Sequence, residues 1–312
     1  MTLNLALKID VDTYRGTVEG VPRLLRLLDR AKTRATFLFS LGPDHTGRAI
    51  KRVFRPGFLS KVSRTSVVSH YGLKTLMYGV LLPGPDIGKR CADILRSVRD
   101  AGHEVGIHTW DHIRWQDGVE RADPQWTERE MRLAMNRFAE VFGVSARTHG
   151  AAGWQMNDCA IELTQVLGFD YCSDGRGTTP FLPQVRGAVV RCPQIPTTLP
   201  TLDELIGADG VTEESVAATV LRMTEQLPSL PHVYTLHAEL EGMKLSTAFE
   251  TLLAGWRTQG YRLGTTRDYF EGIDAAHLPI HAMERGSVPG RSGTLMVQGK
   301  AVEQQTSKPV NQ

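Results

Sequence analysis

Lys8-Ile9-Asp10-Val11-Asp12-Thr13-Tyr14 ends an apolar run that starts at Leu5, and the fold is read outward from it. A short apolar run closed by polar residues predicts a strand buried in a parallel sheet. The two aspartates sit two residues apart, so in a strand they point to the same side. Like charges that close repel unless a cation or a proton intervenes. Later the chain reads Val105-Gly106-Ile107-His108-Thr109-Trp110-Asp111-His112, again an apolar run followed by polar residues. His108 and His112 have the i, i+4 spacing that lets two imidazoles reach one ion from a helical turn. If the two strands end side by side, one carboxylate and two imidazoles make a three-ligand metal site with open positions, and the second aspartate can act as a base.

The rest of the chain continues this pattern. Val21 to Arg30 predicts a helix with Pro22 in its first turn. Ala35 to Ser40 predicts a second strand, Ile87 to Ala101 a helix stopped by Gly102, and Glu104 to His108 a third strand. Thr127 with Glu130 reads as a capping box opening a helix to about Val141. Further strands are expected around Arg147, Phe169 to Ser173, Ala188 to Cys192, His232 to Leu236 and Tyr261 to Gly264, with helices between several of them. Alternation of this kind implies a mostly parallel α/β sheet, and about seven such steps suit a closed or nearly closed barrel. Chemistry in such folds gathers at the C-terminal ends of the strands, where Asp10, His108, Asp174 and His237 all fall. The domain is expected over residues 1–271. From 272 to 312 the pattern fades into Gly, Pro, Ser, Gln and Lys, which reads as a flexible tail.

The 312 residues, 41% hydrophobic and of net charge +2, allow one large α/β domain or two ordinary ones. Lys8 and Asp10 interrupt the N-terminal apolar stretch, so no secretory pattern is read there. Four cysteines without CxxC spacing suit free thiols in a reducing cytoplasm. The small net charge hides an asymmetry. His45 to Pro85 has no Asp or Glu but seven Lys or Arg, so the remainder is net acidic. Arg52, Arg55, Phe58, Lys61, Arg64 and Lys74 in this stretch mix cations with apolar side chains, the composition of an element facing an anionic lipid surface. A basic, partly buried lid is the plainer reading. No nucleic-acid module accompanies the charge, so nucleic acid is not expected as a partner.

Each cluster has a bland alternative. Asp10 and Asp12 could be loop carboxylates capping the next helix. An aspartyl-phosphate phosphatase motif fails at Tyr14. The two histidines could be ordinary surface or core residues, and a two-histidine, one-carboxylate set also suits a non-haem iron oxygenase, which the strand–helix alternation disfavours. His237, closing Val233-Tyr234-Thr235-Leu236, could be structural, or could protonate a leaving amine because an imidazole titrates near neutrality.

Taken together, Asp10-x-Asp12, His108-Thr-x-x-His112 and Leu236-His237 resemble the polysaccharide deacetylase (NodB-homology) family. Arg15-Gly16-Thr17, Glu19-Gly20-Val21-Pro22-Arg23, Ala151-Ala152-Gly153-Trp154, Ser173-Asp174 with Arg176-Gly177, Gln194-Ile195-Pro196, Thr198-Leu199-Pro200-Thr201 and His237-Ala238-Glu239 resemble its branch of bacterial deformylases. These act on undecaprenyl-phosphate-linked formamido sugars on the cytoplasmic face of the inner membrane. The resemblance implies a distorted (β/α) barrel of about seven parallel strands and a metal-dependent amidohydrolase holding one divalent transition metal (Zn, Mn or Co). It implies Asp12, His108 and His112 as ligands, Asp10 as base and His237 as acid. The family arginine that orients the base is absent from Ala151 to Trp154. Arg176, close to Asp174, is expected to supply that charge, and a backbone N–H of Gly153 or Trp154 to hold the oxyanion. A deacetylase of a soluble or cell-wall amino sugar, and a silent membrane- or sugar-binding protein on the same fold, are the alternatives.

Overall fold

The computed structural model describes residues 4–49, 77–226 and 231–302. Strand β1 (Asn4–Val11) is the centre of the fold and is buried from Leu5 onward. Its odd row, Leu5, Leu7, Ile9 and Val11, belongs to the main core under the helices. Its even row turns to the other face. There Ala6 packs with Tyr171, Ile195, Val233 and Tyr269, and Lys8 and Asp10 follow it toward the C-terminal rim. A strand apolar on both faces is what a parallel sheet covered on both sides requires.

The other main strands are β2 (Thr36–Ser40), β3 (Glu104–Thr109), β4 (Thr148–His149), β5 (Tyr171–Cys172), β8 (His232–His237) and β9 (Arg262–Gly264). Six parallel strands form a half-barrel wall in the order β5-β4-β3-β2-β1-β8, and β9 joins as a seventh by pairing with β1. The register explains how β1 holds three partners. β8 runs along Leu5 to Asp10, while β9 takes Asn4 to Ala6 and β2 takes Lys8 to Val11 on the remaining edge.

Helices surround this wall. α1 (Val21–Arg30) has Pro22 in its first turn and buries Val21, Leu24, Leu27 and Leu28. α2 (Ala92–Asp100), α3 (His112–Gly118), α4 (Pro124–Phe142), α5 (Asp158–Val166), α6 (Val216–Gln226) and α7 (Ser246–Thr258) follow. α4 begins earlier than the Thr127–Glu130 pair suggests. Asp123 caps it, accepting from the Trp126 N–H at 2.7 Å, ahead of a proline in the first turn. Thr127 and Glu130 are buried inside the helix instead.

A second, smaller sheet corrects the expected tail. β6 (Leu182–Val185), β7 (Ala188–Val189), β10 (Ile280–Gly286) and β11 (Leu295–Ala301) lie in the order β11-β10-β6-β7. The last two form an antiparallel hairpin, and β10 runs parallel to β6. Met283 and Met296 enter the main core. Residues 280–301 are therefore ordered strand and turn, because two buried methionines and a pairing partner in β6 hold a stretch whose composition reads as coil. The candidate lipid-facing residues Arg52, Arg55, Phe58, Lys61, Arg64 and Lys74 lie outside the described residues.

Candidate active site

The predicted residues meet at one rim. β1 delivers Asp10 and Asp12, and β8 delivers His237, which is the register partner of Asp10 across the parallel ladder. β3 delivers His108. The β2–β3 register slips between Phe39 and Ser40, so that Ile107 and then Thr109 are paired and His108 is skipped. Irregularities of this kind re-aim a side chain. His112 follows at the start of α3, whose cap Asp111 accepts from the Arg114 N–H at 3.1 Å.

Asp12 Oδ1 stands 3.2 Å from His108 Nε2, and Oδ2 stands 3.5 Å from His112 Nε2. One donor atom from each of Asp12, His108 and His112 lies within 4.8 Å of the others. Asp12 Oδ1 is buried and has no hydrogen-bond partner among the described residues. His108 Nδ1 faces the Gly150 carbonyl at 2.7 Å. Donating there fixes the tautomer and turns the Nε2 lone pair toward Asp12. An oxygen and two imidazole nitrogens, one of them oriented from behind, fit a divalent transition metal. Burial opposes ionisation of Asp12, but the His112 charge, contact with His108 and the more distant His237 hold it far below the usual carboxylate range. Burial likewise opposes the charged form of His108, yet Asp10 and Asp12 raise its pKa.

The Gly150 carbonyl is itself held in place. Asp174 Oδ1 accepts from Ala151 N at 2.9 Å and lies 2.6 Å from His149 Nδ1, while Oδ2 accepts from Gln194 Nε2 at 3.0 Å. Asp174 thus braces the loop behind His108 and does not reach the ligand cluster. His149, Cys172 and Asp174 also converge, but those hydrogen bonds already occupy both Asp174 oxygens.

The cation beside Asp10 corrects one expectation. Lys8 Nζ lies 3.0 Å from Asp10 Oδ2, and Lys8 is fully buried. Arg176 instead donates from Nη1 to Glu204 Oε1 at 2.6 Å and from Nη2 to the Leu199 carbonyl at 3.1 Å. A lysine two residues before Asp10 on the same row of β1 reaches its carboxylate directly, whereas Arg176 is drawn to a buried carboxylate. Asp10 Oδ1 remains buried without a hydrogen-bond partner among the described residues, as does His237 Nδ1. The Trp154 N–H is committed to the Ala151 carbonyl at 2.9 Å and is not free for an oxyanion. Gly153 has a φ of +60°, and a Cβ there would meet Gln116 Nε2 at 2.4 Å. It is the hinge of a turn that buries the Trp154 indole.

Sequence reasoning passed over Glu239. Its Oε1 accepts from the N–H groups of Asp12 and Thr13 and from the Thr13 hydroxyl, at 3.1, 2.8 and 2.8 Å. Gly16 leaves room for it, since a Cβ there would fall 1.9 Å from that oxygen. Burial and the Asp12 charge push the Glu239 carboxyl well up. Its signal was the Glu two residues after His237.

Metal-type donors at the ends of parallel strands, with Asp10 and His237 paired across one ladder, suit a hydrolase of the deacetylase type. The chain belongs to the polysaccharide deacetylase family, whose model matches residues 6–172, and it is a hydrolase acting on an amide C–N bond. It is 37% identical, over 97% of both chains, to a protein of Shewanella sediminis bearing the name 4-deoxy-4-formamido-L-arabinose-phosphoundecaprenol deformylase. A Wigglesworthia glossinidia brevipalpis protein of the same name is 32% identical over 92% of this chain and 100% of its own. A solved structure described as a polysaccharide deacetylase, from Mycobacterium smegmatis, superposes with a TM-score of 0.62. It covers 92% of this chain and 96% of its own at 16% identity, a likeness that speaks for the fold.

Proposed function

We propose that this chain removes the formyl group from undecaprenyl-phosphate-linked 4-deoxy-4-formamido-L-arabinose, giving formate and the 4-amino-4-deoxy-L-arabinose lipid used to modify lipid A. The observation that carries the reading is the 37% identity, running the length of both chains, to a relative with that deformylase name. Asp12, His108 and His112 would hold one divalent transition metal, zinc, manganese or cobalt. When bound, such an ion stabilises negative charge on the amide oxygen and acidifies water. Asp10, oriented by Lys8, takes the proton of the water that attacks the formyl carbon. His237, beside Asp10 on β8, gives a proton to the departing sugar nitrogen as the C–N bond breaks. The free amine gains a positive charge, which suits a lipid modification that repels cationic peptides.

A lipid-linked substrate brings the enzyme to a bilayer. The acid-free stretch from His45 to Pro85 supports a peripheral site on the anionic cytoplasmic face of the inner membrane. At its far end Val80, Leu81 and Leu82 are exposed in succession, Leu81 by 78%. No helix among the described residues is long and apolar enough to cross a membrane. The deciding experiment is formate release from the lipid-linked formamido sugar, with and without chelator. Turnover that stops with chelator and returns with a divalent transition metal is expected. Undiminished turnover by metal-free protein would overturn the mechanism, and acetate but no formate release from matched sugars would overturn the substrate.

A further inference from the structure

The tip of the β10–β11 hairpin reaches the active-site rim. Gly290 has a φ of +80° and packs so tightly that a Cβ would lie 2.3 Å from the Glu204 carbonyl oxygen. The next residue, Arg291, sets its guanidinium carbon 4.5 Å from the centre of the Trp154 ring. Trp154 itself has a φ of +53°, a conformation an aromatic residue keeps only where its surroundings impose it. Arg291 Nε donates to Glu204 Oε1 at 2.6 Å. Its Nη2 is buried and has no hydrogen-bond partner among the described residues. Asp203 Oδ2 stands 3.6 Å from that nitrogen, beyond hydrogen bonding, and the two side chains keep 19% and 37% exposure. The other Asp203 oxygen accepts from the Thr201 hydroxyl at 2.6 Å. Lys8, whose Nζ lies 3.0 Å from Asp10, stands 5.3 Å from the centre of the same Trp154 ring, so Arg291 and the Lys8–Asp10 pair share one indole at the catalytic rim.

Arg291 and Asp203 pair at 3.6 Å, too long for a hydrogen bond, so the guanidinium donor and the carboxylate acceptor suit a group that both accepts and donates. A hydroxyl does both. A phosphate oxygen only accepts, and here it would face the carboxylates of Asp203 and Glu204. We propose that Arg291 and Asp203 form a subsite for one ring hydroxyl of the substrate sugar, Arg291 donating to its oxygen and Asp203 accepting its hydrogen, which orients the sugar over the base and the acid. The inference rests on the reading of a 4-acylamino pyranose as substrate.

The test compares methyl 4-deoxy-4-formamido-L-arabinopyranoside with its 2-deoxy and 3-deoxy analogues. A hydrogen bond to a charged partner predicts that wild type loses about 10- to 100-fold in kcat/KM on one of the two analogues. In Asp203→Ala and Arg291→Met that discrimination should shrink to less than about threefold, because the partner that reads the hydroxyl is gone. Variants that are slowed by one common factor on all three sugars would overturn the proposal, as would a wild type indifferent to both missing hydroxyls. Asp203 is partly exposed, so its variant carries the test if Arg291→Met does not fold, with metal content and melting temperature as the check. If wild type releases acetate from the acetamido pyranoside but no formate, the deformylase reading fails separately. The same deoxy comparison on the acetamido sugar then decides the subsite.

Discussion

Two regions, the strand ends and a late hairpin, meet at the Trp154 ring, and only one of them can be read by eye. The strand ends of β1, β3 and β8 supply Asp10, Asp12, His108 and His237. The β10–β11 hairpin supplies Arg291 and buries Met283 and Met296 in the main core. β1 is buried on both faces, so a polar residue inside it is an anomaly that announces a task. The hairpin is half exposed and mixes charged, polar and apolar residues, so its polar residues announce nothing. Its order comes from pairing with β6, far away in sequence.

The sharpest way to break this contrast is to strip the strand ends. His108→Ala and His112→Ala should each lose bound metal, and activity should fall to background, as read by elemental analysis and formate release. Retained metal with lost activity would mean the ligand set is wrong. Asp10→Asn should keep the metal and lose activity by about 10²- to 10⁴-fold, the range of a general base, whereas Asp12→Asn should weaken metal binding itself. Lys8→Met should mimic Asp10→Asn, because it removes the cation that lies at hydrogen-bond distance from Asp10. A Lys8→Met enzyme with wild-type kcat would show that the base needs no orienting cation.

These residues also mark what could be read beforehand. The parallel wall, the convergence of Asp12, His108 and His112 and the pairing of Asp10 with His237 follow from apolar runs that end in or lead to histidine or aspartate. Lys8 stood inside the quoted motif and its charge amid Leu5, Leu7 and Ile9 was a visible signal. Arg176 neighbours Asp174 in sequence, but Glu204 is what it meets in space. Nothing local distinguishes Arg291 from other arginines. Its role depends on a hairpin tip docking beside Trp154, a contact between residues more than a hundred positions apart.

The hairpin can be tested as structure. Met283 and Met296 are 6% and 3% exposed, so Met283→Ala and Met296→Ala should each cost about 2–5 kcal/mol by the loss of buried volume. Urea unfolding followed by fluorescence would measure it. Wild-type stability in both variants would return residues 280–301 to the status of a dispensable tail.

The smallest expected effect separates the two regions by their response to pH. Glu241 closes the strand-end side, accepting from the His237 N–H at 2.9 Å and from the Tyr234 hydroxyl at 3.1 Å. Burial pushes its carboxyl up to about 7, against the pull of the His237 charge and backbone N–H. The folded chain therefore keeps this proton to a higher pH than the unfolded chain, which releases it near 4.5. Between those values the folded state binds more protons, so the contribution is whole below pH 4.5 and is lost as pH rises through 7. From pH 5 to pH 7 the wild type should lose about 2 kcal/mol more stability than Glu241→Gln, which keeps the shape and removes the titration. Met283→Ala, whose lesion is apolar, should be less stable at every pH yet keep the wild-type slope. Urea midpoints of the three chelator-treated proteins across that range would decide it. Parallel curves for wild type and Glu241→Gln would mean that the Glu241 proton is released at the same pH in both states. A flattened curve for Met283→Ala would mean that the hairpin, and not the strand ends, carries the pH dependence.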